Sequence, residues 1–121
     1  MKNELVLPEN IDGVYEEINT LIVSQKSAVK KLVNDAMVSL YWGIGKCLWT
    51  EILSGSKPEY GKKLIAEISD KLSSEYGKGF NRASVFRMVQ FYQLFPDYEK
   101  VATLSQQLTW SHFIELLPIE N

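Results

Sequence analysis

The sequence predicts an all-α protein: a long N-terminal helix, then a helix-turn-helix-like bundle, self-associating through the long helix. Three observations predict it. From Ile11 onward, apolar residues recur at three- and four-residue steps for about ten helical turns. Two later segments, 59–76 and 82–95, carry the same period between glycine, asparagine and proline stops. No alternating segment of strand length stands out.

Residues 1–10 read as a mobile lead-in, punctuated by Pro8 and Asn10. The first helix is predicted over 11–54. Asp12 is its expected N-cap, and Glu16 and Glu17 suit the positive end of the helix dipole. Ile11, Val14/Tyr15, Ile18, Leu21/Ile22, Gln25, Ala28/Val29, Leu32, Ala36, Leu40, Ile44 and Cys47/Leu48 mark its stripe, and no proline interrupts it. A helix of about 40 residues runs about 60 Å. That exceeds what one small domain covers, so part of it is expected to pack on a partner chain, with Tyr15, Ile18 and Ile22 as interface residues.

The stretch SLYWGIGKCLW is apolar on more than one face, which predicts burial on two sides. Gly43 and Gly45 each cost roughly 1 kcal/mol against alanine in a helix interior, so a close backbone approach or a kink is expected there. Trp42 and Trp49 are read as core, with a binding site lined by them as the alternative. Gly55, Ser56 and Pro58 break the chain and start the helix over 59–76, which ends at Gly77. Its inward face is Leu64, Ile65, Ile68 and Leu72. Asn81 caps the helix over 82–95, with Val85, Met88, Val89, Tyr92 and Phe95 inward and Pro96 as the stop. Two short helical pieces are predicted over 104–118, capped by Ser105 and by Thr109 or Ser111.

At 121 residues, the chain reads as a single helical domain over 11–121 after its lead-in. It has no run approaching a membrane span and no signal-peptide pattern. One cysteine, Cys47, excludes an internal disulfide; inside an apolar pattern it is expected to be a buried, inert thiol. A cytoplasmic location follows as the default. The net charge of −2 does not mark a nucleic-acid binder, but the charge is uneven. Residues 57–87 carry seven Lys and Arg against four Asp and Glu, while the flanking segments are net acidic. Phosphate binding follows the local patch more than the global sum.

That basic third contains YGKGFNRASVFRMVQFYQLFP, a helix end, a tight glycine turn and a capped second helix. A helix-turn-helix places its second helix in the major groove, with base contacts near the N-terminus. Lys62, Lys63, Lys78, Asn81, Arg82, Ser84 and Arg87 are the residues expected to meet DNA phosphates or bases. The alternative is a helical hairpin that only packs. FPDYEK echoes a PD-(D/E)XK nuclease site, but that chemistry needs its carboxylates on neighbouring strands, sharing a divalent metal. A solvated loop is the better reading. His112 stands alone and cannot supply a metal cluster; a surface or capping role is expected. No phosphate loop, nucleophile elbow or His/Cys spacing is present, so no cofactor and no catalysis are expected in this chain.

Three blocks in order, LYWGIGK, EYGKKLIAEISDKLSSEYGKGFNRASVFRMVQFYQLFP and LSQQLTWSHFIELL, together resemble the N-terminal domain of the YhcG-type family. The likeness covers roughly residues 15–118. It implies a two-part bacterial protein, in which this helical domain precedes a C-terminal PD-(D/E)XK nuclease domain. It also implies a DNA-binding or assembly role for the helical part. The chain ends at Asn121, where the nuclease domain would follow, so a truncated or split form is expected. The family's metal-binding carboxylates have no counterpart here. The expected function is therefore a non-catalytic DNA-binding and assembly module of a nuclease, with DNA, a second copy and the nuclease domain as partners. The alternative is a protein-interaction or dimerisation domain without direct DNA contact.

Overall fold

The computed structural model describes residues 10–55 and 57–118, with Ile52 described by its backbone alone. The lead-in expected over 1–10 lies outside the described residues up to residue 9. Five α-helices follow in order: α1 (Ile11–Leu48), α2 (Pro58–Tyr76), α3 (Arg82–Leu94), α4 (Tyr98–Leu104) and α5 (Trp110–Leu116). No strand occurs among the described residues, and the all-α expectation with a long first helix is borne out. The described residues fall into two compact units, one up to Val33 and one from Asn34 onward.

The first unit is α1 up to Val33. Its side chains are exposed nearly throughout, the apolar stripe included. Asp12, expected as the N-cap, lies inside the first turn, because the helix already starts at Ile11 and the Val14 N–H donates to the Asn10 carbonyl at 2.9 Å.

The second unit holds two apolar clusters. Val38, Phe91, Val101, Phe113 and Leu117 form one, with Trp42, Phe95, Leu108 and Trp110 against it. Leu48, Leu53, Ile65, Val85 and Val89 form the other. Helix α3 serves both, since Val85 and Val89 face one cluster and Phe91 the other. Phe91 is fully buried, and its ring lies 4.9 Å from Phe113 and 5.0 Å from Trp110. It was absent from the predicted inward face, which a single stripe confines to one side of the helix.

Helix α1 passes through Gly43 without a break and ends in a π-helical turn over Trp49–Leu53, where the Ser54 N–H donates to the Trp49 carbonyl at 2.9 Å. Bonds between residues five apart widen the turn. That brings Leu48 and Leu53, themselves five apart, into the same cluster. Gly45 is where α1 and α3 approach closely. A Cβ there would collide with the Met88 carbonyl oxygen and lie 3.2 Å from the Tyr92 Cβ. Gly43 meets no such neighbour. The inward face runs through Val38, Trp42, Gly45 and Leu48, so Cys47, expected to be buried, is exposed.

Trp42 is a core residue with a polar handle. Its Nε1 donates to the Phe95 carbonyl at 2.7 Å, and its ring meets Tyr92 and Tyr98 edge-on or tilted. Asn34 holds the segment before α5. Its Nδ2 donates to the Leu108 carbonyl at 3.3 Å, and its Oδ1 accepts from the Trp110 N–H at 3.1 Å.

The FPDYEK stretch corrects the loop expectation. Asp97 caps α4 by accepting from the Glu99 N–H at 3.0 Å, and Val101 in that helix is buried. Ser105, expected to begin a helix, instead closes α4. Thr109 caps α5 in a reciprocal box with His112, whose Nδ1 accepts from the Thr109 N–H at 3.1 Å. The capping role expected for His112 is the one it has.

Candidate nucleic-acid interface

The joint between α2 and α3 is built from local rules. Gly77 ends α2 with a φ of 98°, a left-handed conformation that disfavours any side chain. Its N–H donates to the Ser73 carbonyl at 2.9 Å. The Ser73 hydroxyl in turn donates to the Phe80 carbonyl at 2.9 Å, tying the 3-10 turn Lys78–Phe80 back onto α2. Asn81 then caps α3, its Oδ1 accepting from the Ser84 N–H at 2.8 Å. Below the joint, Val85 and Ile65 share a cluster, so α2 and α3 are fixed as a packed pair.

The expected DNA-contacting residues divide into three places. Lys78, Asn81, Arg82 and Ser84 gather at the joint. Lys62 and Lys63 are exposed near the start of α2, about 20 Å along the helix axis from its end. Arg87 lies five residues after Arg82, which turns it to another side of α3. There it borders a cleft of about 320 Å³ between α3 and α5, lined also by Phe86, Gln90, Ile114, Leu117 and Pro118.

Two of the joint residues are already engaged. The oxygen of Asn81 is used by the cap. The Arg82 guanidinium donates to both carboxylate oxygens of Asp70 on α2, at 3.1 and 3.4 Å. Both side chains stay about two-thirds exposed, so the pair is a weak, solvent-screened one. Asp70 was not anticipated; twelve residues separate it from Arg82, and no local spacing rule links them. The outer face of α3 is also partly bordered by the segment after α5, since Gln90 Nε2 donates to the Pro118 carbonyl at 3.3 Å.

The arrangement supplies hydrogen-bond donors and positive charge. Among the described residues, no three His, Cys, Asp or Glu side chains stand together as a metal site. Asp97 and Glu99 serve as a helix cap and first turn. The exposed Lys62, Lys63, Lys78, Arg82 and Arg87 offer an anion positive charge and N–H donors. Among the described residues, no helix is long and apolar enough to cross a membrane. Tyr15, Ile18 and Ile22, the expected interface residues, are 64%, 49% and 48% exposed.

Comparison with known proteins agrees with the resemblance read from the three sequence blocks. The profile of the DUF1016 N-terminal domain matches residues 17–121. The Escherichia coli (strain K12) protein named "Putative nuclease YhcG" is 30% identical over 109 residues. That match covers 85% of this chain and 29% of the relative. The chain thus spans somewhat less than a third of the curated relative it matches. No solved structure gives a significant match.

Proposed function

The chain belongs to the DUF1016 N-terminal domain family, and from that premise we propose that it is a non-catalytic module that assembles copies of a nuclease-family protein and brings them to DNA. The observation that carries the reading is the bare apolar stripe of α1, where Ile11, Ile18, Leu21, Ile22, Val29 and Leu32 are all exposed. A contiguous apolar surface of this kind marks an interaction site. Cleavage chemistry then belongs to a nuclease domain C-terminal to this module in longer members.

The DNA contact rests on the cations of α2, the joint and α3. Lys62, Lys63, Lys78, Arg82 and Arg87 are all exposed. The Lys62–Lys63 pair and the joint, about 20 Å apart along the axis of α2, reach separate phosphates of one duplex, a contact that positions without reading sequence, and Arg87 adds a cation on another side of α3. Fluorescence anisotropy of labelled duplex DNA across a salt series tests this half of the proposal. Affinity whose logarithm falls linearly with log salt supports it. Absence of binding at low salt overturns the DNA contact and leaves the interaction-module reading.

A further inference from the structure

We infer that residues 11–33 pair with the same segment of a second copy in the antiparallel orientation; the inference rests on the assembly reading and names its partner and geometry. Within this segment the charge is sharply divided. Asp12, Glu16 and Glu17 lie in its first two turns, and Lys26, Lys30 and Lys31 in its last two. All but Lys31 are exposed. A parallel pair sets acid beside acid and base beside base. An antiparallel pair sets the acidic half of each copy along the basic half of the other, and it opposes the two helix dipoles.

The stripe has the spacing that such a pair needs. Ile11, Ile18, Gln25 and Leu32 recur every seven residues, with Val14, Leu21 and Ala28 between them. An antiparallel pair centred near Val23 layers Leu32 on Val14 and Ala28 on Ile18. The small Ala28 then meets a branched side chain, whereas a parallel pair stacks it on a second Ala28 and leaves a gap. Gln25 comes to lie beside Leu21, so its amide must reach the edge of the seam to stay hydrated. Glu17 borders the stripe on the side where Lys31 of the other copy arrives.

Sedimentation equilibrium at about 20 mM salt, where screening is weak, tests the orientation with three variants. Glu16→Lys/Glu17→Lys leaves Asp12 as the sole acid of the segment, and Lys26→Glu/Lys30→Glu leaves Lys31 as its sole base. The combined four-site variant reverses the net sign of each block, with Asp12 and Lys31 unchanged. Antiparallel pairing predicts that each two-site variant weakens the dimer by about threefold or more at this salt. It also predicts that the four-site variant restores it. Restoration shows as well that the substitutions leave the helix intact, which circular dichroism checks directly. A dimeric chain whose two-site variants associate unchanged, or whose four-site variant is not restored, overturns the orientation alone. A monomeric chain at every concentration overturns the assembly reading and this inference with it.

Discussion

Arg82 at the start of α3 donates to both carboxylate oxygens of Asp70 on α2, the shorter contact being 3.1 Å. The guanidinium most suited to a phosphate is thus held by an acid from the preceding helix. Because both groups are well exposed, a phosphate can compete for Arg82. Replacing Asp70 with Asn is expected to raise DNA affinity by up to about fivefold at low salt. The fold is expected to change by no more than about 1 kcal/mol. Anisotropy titrations paired with urea melts check both.

The converse substitution follows from the same surface. Arg82→Ala with Arg87→Ala removes two cations from different sides of α3. Affinity is expected to fall, and the slope of log affinity against log salt to flatten by about 2, near one unit per lost phosphate contact. Unchanged affinity and slope would show that these arginines are only solvated.

Gly43 and Gly45 make a matched pair, two residues apart in one helix. Gly45→Ala drives a methyl into the Met88 carbonyl, so it is expected to destabilise by about 1–3 kcal/mol. Gly43 has open space around its Cα, so Gly43→Ala is expected to stabilise by roughly 1 kcal/mol through helix propensity. Chemical denaturation of the two variants gives opposite signs if the α1–α3 contact is as described.

Phe91 and Phe113 are buried ring against ring, and the half-buried Phe95 and Trp110 pack on Phe91. Phe91→Ala is expected to cost about 3–5 kcal/mol. Ser69 tests the opposite case. Its buried hydroxyl has no hydrogen-bond partner among the described residues, so Ser69→Ala is expected to be neutral or slightly stabilising in the same melts.

The helices were legible where local chemistry decides them. Pro58, Gly77, Asn81 and Thr109 start or stop elements by rules that act within a few residues, and the apolar period of α2 identified its inward face. What remained hidden depends on partners distant in the chain. Phe91 is buried because α3 packs on two sides at once, and a single-stripe reading has no place for it. Asn34 anchors a segment more than seventy residues away. The pairing of Arg82 with Asp70 arises only when the turn folds α3 back on α2. The sequence marks Gly43 and Gly45 alike for a close approach or a kink, and only packing shows that Gly45 meets Met88 while Gly43 meets neither condition. Cys47 misled for a related reason: the pattern around it is apolar on several faces, and only packing shows which one is outside. Asp97 and Glu99 resemble loop residues in composition, yet the Asp97 cap and the burial of Val101 make them the start of α4.

The most direct test of the account is sedimentation equilibrium of this chain over the micromolar range, beside its Ile18→Asp/Ile22→Asp variant. The apolar stripe of α1 predicts twice the chain mass for the former and a helical monomer for the latter. A monomeric parent chain, or a variant that still associates equally well, would contradict assembly through residues 11–33.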